Sequence, residues 1–135
     1  MPDAFYPWMH LIGRISFAMV FIGGGVNHFT KLNDTAMYAK GRGVPFATFA
    51  TIVAGLMSVV GGTLVAMGWH RFIGAGLIAI FALLTAFMMH NFWRDTDPTA
   101  KQNEMAHFMK NLALAGGALF MAYYGRGGWP MSLGG

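Results

Sequence analysis

Residues 45–93 read PFATFATIVAGLMSVVGGTLVAMGWHRFIGAGLIAIFALLTAFMMHNFW. Two apolar runs, Pro45–Gly68 and Phe72–Trp93, contain no Asp, Glu, Lys or Arg. Only Trp69, His70 and Arg71 separate them, so the two must lie side by side and run in opposite directions. Each reaches the roughly 20 residues a helix needs to cross ~30 Å of hydrocarbon. In lipid an open sheet would leave backbone groups unpaired, which makes helix the only reasonable choice. Working outward, Pro7–Phe29 is a similar run whose one charge is Arg14, and Met105–Tyr124 is another, with Lys110 near its start. The expected fold is all-α: one integral membrane four-helix bundle over residues 7–29, 45–68, 72–93 and 105–124.

Composition agrees. Hydrophobic residues make up 56% of the chain and charged residues 10%, against roughly 25% charged in an ordinary soluble domain. A water-soluble fold would leave apolar patches of a size that monomers avoid. The net charge of +4 falls in short loops with no clustered basic face, which reads as membrane-surface charge and argues against nucleic-acid binding. There is no cysteine, so disulfide and thiol chemistry are excluded. MPDAFYPWMH lacks the basic start and small-residue cleavage site of a secretory signal, so the first span is expected to be retained.

The connections differ in kind. Between the first and second spans, Asn33 or Asp34 is placed to cap a short interfacial helix that runs through Lys40 and ends at Gly41 and Gly43. Pro45 then opens the second span, where its missing N–H costs nothing. Residues 94–103, RDTDPTAKQN, read as the most soluble loop, and the glycine-rich residues 125–135 as a flexible tail. Small residues should let the backbones approach, since apolar side chains gain little by leaving lipid for one another. Ala50, Ala54, Ser58, Gly62 and Ala66 recur at every fourth position as one expected ridge, and Gly23–Gly25, Gly74, Gly76, Gly116 and Gly117 offer further flat patches. Trp8, Trp69, Trp93, Tyr123 and Trp129 sit near span ends, as interfacial anchors do.

Polar residues within spans are costly, which makes them candidates for function. Asn27 and His28 close the first span, His90 and Asn91 lie near the end of the third, and Glu104, His107, Lys110 and Asn111 open the fourth. With alternating direction all of these fall in one leaflet, so three of the five histidines share a depth. Glu104, His107 and Asn111 are spaced by three and four residues and share a helical face. Such a cluster can bind a polar head group, relay a proton through Glu104, His107 and Lys110, or hold a metal; equally, the groups can satisfy one another and lock the helix ends. The candidate cofactor-binding residues are His28, His90, Asn91, His107 and Asn111, with Arg14 about 21 Å from His28 along the axis. Arg14 either snorkels to the opposite interface or lines the bundle interior as an anion partner. Glu104-x-x-His107 is half of a di-iron motif, but with a single glutamate in the chain that site is excluded. His28, His90 and His107 with nearby methionines are the candidate ligands for copper or zinc, and two of these histidines for haem. No phosphate loop, dinucleotide fingerprint or nucleophile triad is present.

LIGRISFAMVFIGGGVNHFTKL (residues 11–32), the GVP at 43–45, AGLMSVVGGTLVAMGWHRFIGAGLIAIFALLTAFMMHNFW (54–93) and EMAHFMKNLALAGGALF (104–120) together resemble the DoxX family of small four-helix membrane proteins. The resemblance covers most of the chain, and HNFW with HFMKNLALAGG is its most distinctive part. Arg14, His90, Asn91, Glu104, His107, Phe108, Lys110 and Asn111 match the family's recurrent positions. The family is similar to the small subunit of thiosulfate:quinone oxidoreductase, which implies a multi-pass protein of a prokaryotic cytoplasmic membrane with a quinone-linked oxidoreductase role. Two departures stand out: Ser58 lies where the second span often carries a glutamate, and His28 where a lysine often ends the first.

The expected function is therefore a membrane subunit of an electron-transfer complex, binding a quinone-like head group at the histidines. The alternatives are a non-catalytic structural subunit packed into a larger membrane assembly or homo-oligomer, and a small transporter or copper- or haem-binding module.

Overall fold

The computed structural model describes residues 2–134. Five α-helices follow in order: α1 (Pro2–Thr30), α2 (Leu32–Gly41), α3 (Ala47–Met67), α4 (Arg71–Met89) and α5 (Pro98–Tyr124). Short 3-10 turns occupy Phe92–Arg94 and Gly125–Gly127. Among the described residues there is no strand, only one backbone bridge between Trp69 and Gly134. Three helical stretches are long and apolar enough to cross a membrane: Asp3–Thr30, Ala47–Met67 and Arg71–Arg94. Their outward faces carry Met19, Leu56, Ile80 and many other large apolar side chains in the open. Water would not tolerate that surface, whereas lipid does.

Local chemistry moves several expected boundaries. α1 runs back past Pro7, which sits inside the helix near its start. Pro45 does not open α3: Phe46 takes a left-handed conformation (φ 49°) and the helix begins at Ala47. The segment expected as the most soluble loop is largely the first turns of α5. Asp97 caps that helix by accepting from the Ala100 N–H at 2.9 Å, and Pro98 takes a first-turn position, where its lacking N–H is harmless.

α1 packs along α3, α3 against α4, and α4 against α5. Of the expected ridge at every fourth residue of α3, Ser58 and Gly62 are buried while Ala50, Ala54 and Ala66 are half-buried. The buried face is completed by Thr51, Gly55, Val65 and Gly61. Four residues turn a helix through 400°, so a strict four-residue repeat drifts by about 40° per step off its face. Steps alternating four and three stay on it. Ser58 is fully buried and donates its hydroxyl to the Phe21 carbonyl of α1 at 2.6 Å. Of the glycine patches, Gly25, Gly74 and Gly117 meet a neighbour while Gly23, Gly24, Gly76 and Gly116 face open space. Ala18 and Phe21 from α1, Val65 from α3, Ile78 and Ala79 from α4, Ala118 from α5 and Trp129 form the core.

The expected flexible tail is instead folded back across the end of the molecule where α3 turns into α4. A helix leaves its last carbonyls without internal partners and bears negative charge there. Here the tail and two arginines supply the partners. Leu133 N–H donates to Met67 O at 3.0 Å, Arg14 Nε to Ala66 O at 3.1 Å, and Arg71 Nε to Gly125 O at 3.0 Å. Arg14 also donates to the carbonyls of Pro130, at 2.5 Å, and Met131. Trp129 is thus buried rather than an interfacial anchor, with Arg14 and Arg71 at 6.0 and 5.8 Å from its ring.

Candidate functional site

At the opposite end, a cavity of about 440 Å³ lies between α3 and α4 beneath α2. Ala50, Ala54 and Met57 of α3, with Phe81, Leu84, Met88 and Met89 of α4, make most of its wall apolar. The polar groups on it are His28 from α1, Thr35 and Tyr38 from α2, Thr51 from α3, Thr85 from α4 and His90 just past its end. Mostly apolar walls with a few convergent polar groups are the usual form of a small-molecule site.

His90 and Tyr38 are joined behind the wall. The Glu104 carboxylate accepts from the Tyr38 hydroxyl on one oxygen and pairs with His90 Nδ1 at 2.7 Å on the other. Tyr38 is pushed up to about 12 by burial, the hydrogen bond to Glu104 and that carboxylate's charge. It therefore stays a protonated donor at any physiological pH. The His107 ring stacks on His90 with centroids 5.0 Å apart and planes at 27°. His90, Glu104 and His107 thus come together as the spacing suggests, yet His107 and Lys110 lie on the exposed side and do not line the cavity. His28 reaches the same cavity but makes its own bond, Nδ1 to Thr51 O at 3.2 Å. A carbonyl can only accept, so His28 carries its proton on Nδ1 and turns Nε2 free. Asn111 is buried on α5. Arg14, tied to the tail, is at the far end and belongs to a different structure.

Asn91 is buried for another reason: it fastens the roof. Its Nδ2 donates to Arg42 O at 3.3 Å, Arg94 donates to the same oxygen at 2.5 Å, and Arg42 forms a two-pronged pair with Asp95 at 2.8 and 3.1 Å. The C-terminal end of α2 is thereby tied to the α4–α5 connection. The Arg42 guanidinium beside Asp95 holds that carboxyl below its ordinary value. A depressed carboxyl contributes stability above the unfolded value and loses it as pH falls through the folded one. The tie should thus be whole above about pH 4 and weaken below it. Amide exchange of α2, corrected for intrinsic rates, is expected to be faster at about pH 3 than at pH 6. Asp95→Asn should show the faster exchange already at the higher pH. An acid-insensitive α2 in the unmodified protein would contradict this.

Tyr38 and the Arg42–Asp95 pair were not among the sequence candidates. The signal was there: Thr35, Tyr38, Ala39 and Arg42 follow i, i+3, i+4, i+7 and so share one face of a helix. That face is the roof.

A family model described as DoxX matches residues 9–91, more than half of the chain. Two proteins of Escherichia coli (strain K12), inner membrane protein YphA and inner membrane protein YqjF, are each 31% identical to it over 121 residues. The matches cover 90% of this chain and 86% and 87% of theirs. No solved structure gives a significant match.

Proposed function

The chain belongs to the DoxX family of membrane proteins, and from that premise we propose that it is the membrane subunit of a quinone-linked electron-transfer complex, binding a quinone head group in the cavity between α3 and α4. It is an integral membrane protein. In this reading α5 supplies a fourth span from Met105 to Tyr124, about 30 Å long, making a four-helix bundle, and α2 lies in the interface as a short amphipathic helix. The inner-membrane relatives support a place in a prokaryotic cytoplasmic membrane.

One observation carries the reading: the Glu104 carboxylate bridges Tyr38 and His90, both of which line an otherwise apolar cavity. A quinone presents two carbonyl acceptors and takes up two protons with two electrons when reduced. When it takes up a proton, His90 keeps Nδ1–H on Glu104 and has Nε2–H to donate, and the Glu104 carboxylate steadies the cation. His28, protonated on Nδ1 by its bond to Thr51, offers Nε2 as an acceptor for a hydroxyl of the reduced quinol. Glu104, bonded to the His90 ring and only partly buried, is placed to exchange that proton with water. The electrons must come from a partner subunit, since no nicotinamide or phosphate-binding motif is present in the sequence.

Haem and copper fit the donor set less well. His90 and His107 stack face to face, which does not aim two nitrogens at one metal from opposite sides. Nδ1 of both His28 and His90 is already engaged, and among the described residues no group of three His, Asp or Glu side chains is placed to hold a metal ion.

Extraction of the protein in mild detergent, followed by solvent extraction and mass spectrometry, is expected to yield bound quinone. His90→Ala should weaken binding of added decylubiquinone by about tenfold or more, the loss of one buried charge-assisted hydrogen bond. A protein that carries no quinone, binds none, and supports its partner's activity with His90→Ala and His107→Ala in place would instead be a structural subunit.

A further inference from the structure

α3 and α4 are joined by three residues, and beside that turn two glycines bring their backbones into contact. A Cβ on Gly61 would lie 3.1 Å from Gly74 O, and one on Gly74 would lie 3.2 Å from Gly61 O. Toward the other end the facing positions are Val53 and Met57 on α3 and Leu84 and Met88 on α4. Without glycine the helices cannot close there, and the space between them is the cavity. Its lining is also its outer surface: Val53 is 37% exposed, Leu84 51% and Met88 38%. Val53 lies six residues inside α3 and Leu84 five inside α4, so these side chains sit about 8–9 Å from the helix ends. That is hydrocarbon depth for a spanning helix. At the water end, by contrast, Thr35, Tyr38 and Ala39 of α2 cover the cavity.

We propose that the gap between Val53 and Leu84 is a lateral doorway through which the ligand enters from the bilayer, its hydrocarbon chain remaining in the gap while the head group reaches His28 and His90. This rests on the quinone reading and narrows it to an uncharged head group on a long apolar chain. No lysine or arginine lines the cavity. A phospholipid's phosphate would find no cationic partner there, whereas carbonyl oxygens find hydrogen-bonding side chains.

The test uses the full chain in nanodiscs of dioleoylphosphatidylcholine and two probes that share a head group, decylubiquinone and its chainless benzoquinone. Leu84→Trp places a large ring where the chain would lie. It is expected to raise the Kd for decylubiquinone about tenfold, a steric exclusion from a fitted apolar slot, and to leave the chainless probe within twofold. Val53→Trp, from the facing helix, should do the same. Ile80→Trp, one turn along α4, exposed and outside the cavity, should bind both probes as the unmodified protein does. His90→Ala should weaken both probes together, which separates failure of the head-group site from failure of the doorway. Unchanged decylubiquinone affinity in both tryptophan variants, or an equal loss for both probes, overturns the doorway. If neither probe binds the unmodified protein, or phosphatidylcholine is found held in the cavity, the head-group assignment falls with it.

Discussion

Gly25→Leu is expected to keep α1 from docking on α3 and to yield protein that aggregates on extraction, whereas Gly24→Leu, one residue earlier, gives a folded protein. A Cβ on Gly25 would lie 2.5 Å from Val59 Cγ2, 2.9 Å from Gly55 O and 3.0 Å from the Val59 nitrogen. Two of these three are backbone atoms, so no rotamer change can make room. Overpacking typically costs about 1–3 kcal/mol when side chains can shift; here a whole helix must move, and in lipid no hydrophobic force drives it back. A Cβ on Gly24 would have nothing within 4 Å beyond its own helix. The consequence reaches the site, because His28 lies one turn beyond Gly25 and its bond to Thr51 exists only while α1 and α3 touch. Size-exclusion profiles in mild detergent decide the matter. A monodisperse Gly25→Leu protein with the thermal midpoint of the unmodified chain would show that the α1–α3 contact is looser than described.

Arg14→Ala is expected to lower stability by about 3–5 kcal/mol, the loss of several charge-assisted hydrogen bonds that have no replacement in lipid, and to free the C-terminal segment. Arg14 is 3% exposed and donates to three carbonyls on two separate segments, residues 66 and 130–131. Arg14→Lys should rescue only part of the loss, since an ammonium is a point charge that lacks the planar fork needed to reach all three. The readout is exchange of the Leu133 amide, which is bonded to Met67 O in the folded protein. If that amide stays protected and the melting temperature holds in Arg14→Ala, the tail is fastened by other means.

The membrane-crossing stretches and the tight turn between α3 and α4 could be read from the sequence because lipid demands long uninterrupted apolar runs, and that demand is strictly local. What depends on relative rotation was harder. The buried stripe of α3 follows Thr51, Gly55, Ser58, Gly62 and Val65, and no spacing on one helix tells which face its neighbour takes. The beginning of α5 was legible in principle through Asp97 and Pro98, but polar composition outweighed capping. At the site, His90, Glu104 and His107 could be gathered by depth and spacing alone. For Tyr38 the spacing shows only that it shares a helical face with Thr35, Ala39 and Arg42; its partner is 66 residues away on α5, and a tyrosine in a polar stretch carries no sign of that. Arg14 is the reverse case. Its position in a span announced an unusual partner, yet the partner is main-chain oxygen, which every residue has and no composition reveals.

The clasp at Arg14 also has a history, since the chain is made from its N-terminus onward. The first helix enters the bilayer carrying a cation whose acceptors do not yet exist. One, on residue 66, emerges with the third helix; the other two, on residues 130 and 131, come only after the last turn of α5 has been made. Until then the nascent protein holds a positive charge whose acceptors are missing, so the segment after α5 acts as the step that closes the clasp rather than as an ornament on a finished bundle.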